Sequence, residues 1–159
     1  RPSPAPAPHV MAGSHVAGLT DRDVPDVLHR LSAMPAEANR ESLKYLLECL
    51  CIFQSDVAVQ TCAAHALVRI AAANRSATRS AVSREDIVTS GALKLVLLAR
   101  HSYPQEEDLT AVCMTLAACV SLDAGTREPL LRAGLVEVAL QALHWHPRHT
   151  EVVAQTLRC

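Results

Sequence analysis

The chain has 159 residues, half of them apolar, a formal net charge of −1 and only four aromatic side chains, Tyr45, Phe53, Tyr103 and Trp145. That balance excludes bulk electrostatic attraction to nucleic acid or to an acidic membrane surface, and no run approaches the ~18 consecutive apolar residues that suggest a membrane span. A core of Leu, Val and Ala with few rings suits closely packed helices, because small side chains let helix axes approach.

Residues 1–18 alternate Pro with Ala and lack the apolar stretch of a secretory signal, which predicts an extended or disordered lead-in. Residues 23–34 place Val24, Val27, Leu28 and Leu31 on one helical stripe, with a proline in the first turn, where its missing N–H costs little. Pro35 ends that helix. From Ala36 a second helix sets Leu43, Leu46, Leu47, Leu50 and Cys51 at helical spacing. After a short turn at Gln54-Ser55-Asp56, a long third helix from Val57 lines up Val59, Ala63, Ala66, Leu67 and Ile70. The polar stretch 74–83 reads as a solvated connection, about six residues longer than the one before Gly134.

Beyond it, Ser83-x-x-Asp86 has the form of a capping box for a short helix through Ile87 and Val88. Gly91 turns the chain into a Leu-rich helix over 93–99, and the acidic residues at 106–108 favour the positive end of the next helix. The plan then returns: Thr126 as cap, Pro129 in the first turn, Gly134 at the corner and Pro147 before a final helix. Gly91 and Gly134 are 43 positions apart, and Val112-Cys113-Met114-Thr115-Leu116 reappears as Val153-Ala154-Gln155-Thr156-Leu157, shifted by 41. A period in the low forties filled with Leu, Ala and Val is the mark of stacked helical units.

This pattern of short helix, Gly, Leu-rich helix, Pro-containing loop and long Ala-Leu helix resembles the armadillo repeat, closely over 83–159 and in part over 54–73. The resemblance implies an all-α, right-handed armadillo-type solenoid of about three repeats. The domain expected over 19–159 divides into a hairpin (19–53), a partial repeat with its loop (54–82), a repeat (83–124) and a truncated repeat (125–159). Armadillo proteins use the inner face of their third helices to hold extended peptides, and the best-known clamps place Trp and Asn there. Aligned on the Ala66-Leu67, Thr115-Leu116 and Thr156-Leu157 pairs, the Trp-like positions are His65, Met114 and Gln155, and the Asn-like ones Arg69, Ala118 and Cys159. Neither ladder is present, so the resemblance carries fold but not the binding of basic localisation peptides. His65, Arg69, Met114 and Gln155 are the inner-groove residues expected to meet a partner.

The six cysteines fall inside apolar helical runs without a C-x-x-C, which reads as reduced packing residues in an intracellular, cytoplasmic protein. No Gly-rich phosphate loop, G-x-S-x-G or H-E-x-x-H occurs, so no catalytic residue and no cofactor is expected. His144, His146 and His149 could ligate a transition metal, but their place in an inter-helix loop with no nearby acid or cysteine in sequence favours a polar loop, Trp145 packing on the repeat edge. The expected function is that of a protein-interaction module or scaffold binding a protein or extended peptide, with no nucleic acid or membrane partner. The alternative is an accessory repeat region of a larger catalytic protein, for example a kinase-like one. A start without Met and a final helix of about half length read as a fragment of a longer protein. Leu135, Val138, Leu140 and Leu143 are then expected to lack their next packing layer, inviting fraying or self-association through that end.

Overall fold

The computed structural model describes residues 23–73 and 82–159; the lead-in and most of the 74–83 connection lie outside the described residues. Among the described residues the chain is all-helical. The nine helices are α1 (Val24–Ser32), α2 (Arg40–Ile52), α3 (Val57–Ala73), α4 (Arg84–Thr89), α5 (Ala92–Ser102), α6 (Glu107–Ser121), α7 (Ala124–Arg132), α8 (Leu135–Trp145) and α9 (Thr150–Thr156). They pack in three rows. One runs α1, α3, α6, α9; a second runs α2, α5, α8; and α4 lies against α7.

Local chemistry sets most of the boundaries. α2 starts at Arg40 rather than at Ala36, because the Asn39 side chain accepts the Ser42 N–H at 2.9 Å and so fixes the first turn. Its far end is closed from the next helix: Gln60, fully buried on α3, donates Nε2 to Leu50 O at 3.0 Å and to Phe53 O at 2.8 Å. Ahead of α4 the capping box forms as expected, Ser83 Oγ accepting from Asp86 N and Asp86 Oδ2 accepting from Ser83 N at 2.8 Å. Gly91 and Gly134 open α5 and α8 at φ 83° and 84°, a left-handed conformation that glycine adopts without steric cost.

α7 departs from expectation. It begins at Ala124 with Asp123 at the N-cap, so Thr126 lies inside the helix and Pro129 falls beyond the first turn. The reason is the Thr126 hydroxyl, which is occupied elsewhere: Oγ1 donates to Val120 O at 2.6 Å and to Asp123 O at 2.7 Å, tying the new helix to the end of α6.

The units share one register. Starts of α5 and α8, and of α6 and α9, are 43 positions apart, and those of α3 and α6 are 50 apart. At the 50-residue offset burial matches almost position for position: Val59 with Leu109, Gln60 with Thr110, Ala63 with Cys113, Ala64 with Met114, Ile70 with Val120 and Ala71 with Ser121 are all buried. Each unit also reaches back to the one before it. Tyr103 closes α5 and its hydroxyl donates to Gln54 O at 3.3 Å; His146, 43 positions on, closes α8 and places Nε2 3.0 Å from Pro104 O.

Candidate interaction surface

α3, α6 and α9 lie side by side, so their outward residues form one strip. At the structural register Ala58, Asp108 and Glu151 are exposed at its edge; Thr61, Ala111 and Ala154 are half-buried; then come His65, Thr115 and Arg158, and beyond them Ala72 and Leu122. The middle of the strip is built of small side chains, with the Thr61 and Thr115 hydroxyls, the His65 imidazole and Arg158 as its polar groups beside an edge that carries Asp108 and Glu151.

Of the four residues expected to line it, His65 is exposed on α3 as required. Met114 is not available. It is completely buried, because alignment on the Leu67 and Leu116 pair is one residue out of register and one residue is a rotation of about 100° on a helix. Thr115 is the true counterpart of His65. Gln155 is half-buried and donates Nε2 to Glu151 Oε1 at 2.7 Å; its counterpart on α6 is Val112, and Arg158 takes the place opposite Thr115. Arg69 faces the other way. Its Nη2 donates to Leu31 O at 2.7 Å, with Ser32 O and Met34 O at 3.4 Å, so the guanidinium closes the C-terminal end of α1. Thr115 and Arg158 could have been found by counting from the helix starts near Pro104 and Pro147 instead of from the Thr-Leu pairs.

The half-buried cysteines of α3 and α6 lie off this strip: Cys62 directs its Sγ to Leu28 O of α1 at 3.8 Å, and Cys119 is the counterpart of Arg69. Burial pushes the Cys62 and Cys119 thiols up, with Arg69 and Arg84 respectively opposing the shift, and a protonated thiol is a poor nucleophile and ligand. Elsewhere, the histidine cluster is not a free loop. His144 and Trp145 belong to α8, and His146 is buried. His149 caps α9, its Nδ1 accepting from Val152 N at 3.2 Å. An acid does stand beside it in the fold: Glu107 lies 3.9 Å from His146 Nδ1 and 4.0 Å from His149 Nε2. No group of three or more His, Cys, Asp or Glu side chains among the described residues is placed to hold a metal ion. Trp145 is half exposed and meets the His144 ring edge-on at 5.8 Å instead of packing on a unit edge.

No helix among the described residues is long and apolar enough to cross a membrane. No family model matches the chain, and no match was found among curated proteins or solved structures.

Proposed function

We propose that the chain is an armadillo-type, right-handed α-solenoid that works as an intracellular protein-interaction module, with the α3–α6–α9 strip as the surface that receives an extended segment of its partner. The observation that carries this reading is the register. α3 and α6 bury the same positions and leave the same positions outward, and α9 begins in the same register, so His65 and Thr115 recur along one line with Arg158 just past the end of α9. A line of equivalent side chains at the spacing of packed helices, roughly 8–10 Å, suits a ligand that is itself extended. The six unpaired cysteines support a reducing compartment.

The test is selection from a random-peptide display library on the full chain, followed by titration of the winning peptide. Thr115→Arg introduces bulk at the centre of the strip without touching the core, and is expected to weaken binding about tenfold or more, ~1.4 kcal/mol. His65→Ala should weaken it less. Peptides that bind the wild type and Thr115→Arg equally would remove the strip as the binding surface. Charge reversal at Arg69 is the wrong probe, because it would unseat α1.

A further inference from the structure

The seam between α2 and α5 is open where the seam between α5 and α8 is closed. α2, α5 and α8 end on Phe53, Tyr103 and His146, 50 and 43 positions apart, so the two seams can be compared residue by residue. In the later seam Arg100, fully buried, donates Nη1 to Gln141 Oε1 at 2.8 Å and so bridges the two helices. The counterparts in the earlier seam are Leu50 and Leu98, which carry no polar group to bridge with. They line a cavity of about 80 Å³ instead, together with Leu95 and the polar residues Gln54, Gln60 and Ser102.

Gln60 gives this cavity a buried acceptor. The residue is 1% exposed, and its Nε2 is committed to Leu50 O and Phe53 O. Its Oε1 takes no hydrogen bond among the described residues, and unlike the hydroxyl of Thr110, the counterpart on α6, it is not sealed off. The free atom that Gln60 brings to the cavity is therefore an amide oxygen, and a group that carries a donor to it gains more than apolar contact. Ser102 Oγ donates to Leu98 O at 3.1 Å, which leaves its lone pairs to accept. Gln54, an exposed part of the wall, offers an amide that donates as well as accepts.

These walls define the occupant. No charged side chain lines the cavity, so a carboxylate, an ammonium or a guanidinium would lose its hydration there without an opposite charge to replace it. The volume is that of a side-chain end and well below the roughly 300–1,000 Å³ of cofactor pockets. We propose that the cavity receives a primary carboxamide on a short aliphatic stem, the end of an Asn or Gln side chain of a protein partner. Its two N–H bonds supply Gln60 Oε1 and Ser102 Oγ, its oxygen accepts from the Gln54 amide, and its stem lies on Leu50 and Leu95. Leu98, 52% exposed, is an apolar lip for the rest of the partner. The cavity belongs to the α2–α5–α8 row, so it does not rest on the α3–α6–α9 strip.

Methyl NMR of the full chain, with the leucines labelled, tests it. Propionamide is expected to shift the Leu50, Leu95 and Leu98 methyls saturably, with a dissociation constant on the order of millimolar for so small a ligand. N,N-dimethylpropionamide, which has no N–H, and propionate, which is charged, are each expected to bind about tenfold more weakly or worse. Ser102→Leu, at an exposed position, fills the cavity and should abolish the shifts; methyls remote from the seam report its fold, and Ser102→Val replaces it if they move. Acetyl-Gly-Gln-Gly-N-methylamide should bind at least as well as propionamide. No saturable shift with propionamide overturns the pocket, and shifts that survive in a folded Ser102 variant overturn its location. Equal binding of the dimethyl compound overturns the role of the Gln60 oxygen. Binding of propionamide but not of the peptide confines the site to free small amides and overturns the protein partner.

Discussion

Arg84 and Asp123 form an ion pair at 3.0 Å that links the first turn of α4 to the residue opening α7. The same guanidinium sends Nε to Ala71 O at 2.9 Å, near the end of α3, so one side chain ties three helices. Arg127, 43 positions on, repeats the backward contact with Nε 3.1 Å from Ser121 O, but is itself exposed. Arg84→Ala should lower the unfolding free energy by about 1–3 kcal/mol, since it strands a buried carbonyl as well as the carboxylate. Arg127→Ala should cost less, and urea unfolding of the two variants measures the difference.

The capping box carries a pH signature. Hydrogen bonds from the backbone and hydroxyl of Ser83 hold the Asp86 carboxyl below its ordinary value of 3.8. A carboxyl depressed in the folded state contributes stability that is fully present above its unfolded pKa and is lost as pH falls through the folded value. Ser83→Ala is expected to cost about 1 kcal/mol at neutral pH. That gap should narrow on acidification, and paired denaturation curves at neutral and acidic pH would show whether it does.

Gly91 and Gly134 separate a backbone effect from a packing effect. A Cβ at either position would meet nothing within 4 Å, so the cost of alanine lies in the left-handed conformation alone, about 1–2 kcal/mol. Gly125, inside α7, also has open space around it but no positive φ. Gly125→Ala should be stabilising by roughly 0.5–1 kcal/mol. Thermal unfolding of the three variants should therefore shift in opposite directions.

The cysteines should label in an order set by burial. Cys51 is exposed, whereas burial pushes the Cys113 thiol up to about 12 and the Cys159 thiol up to about 11. Cys159 is exposed at the end of the chain, yet its Sγ lies 3.4 Å from Met114 O and 3.3 Å from Gln155 O. Since the thiolate is the reactive species, alkylation at mildly alkaline pH should modify Cys51 first, Cys159 slowly and Cys113 only on unfolding. Mass spectrometry of a time course gives the order directly.

Much of the architecture could be read from residue patterns because it rests on local signals. Ser83 with Asp86, Gly91, Gly134 and the stripe through Leu43, Leu46 and Leu50 each act within a few residues, and the structure places all of them as their chemistry dictates. The strip along α3, α6 and α9 was harder. Its definition depends on which way each third helix is rotated, and the repeated Val-x-x-Thr-Leu string pointed to a 41-residue offset where the helix starts are 43 apart. Two residues turn a helix by about 200°, enough to exchange the inner and outer faces. Met114 fell inside for a related reason, and its truncation to alanine should cost about 2–5 kcal/mol while His65→Ala stays near neutral. Arg69 was unreadable in a different sense, since its partners are carbonyls 35–38 positions away, at the end of α1 and just past it.

Val82 donates its N–H to Ala38 O at 3.1 Å, so the chain is fastened to the turn between α1 and α2 just before α4 begins. α3 and α6 pack in matching register although 50 positions separate their starts, against 43 for α6 and α9. The seven additional residues are thus taken up ahead of that fastening, leaving the stack unchanged. One register thus holds at two chain spans, 50 residues and 43, and by loop-closure entropy alone each doubling of a flexible span costs only about 0.6 kcal/mol. The stack is therefore specified by which side chains meet, not by how many residues separate them along the chain.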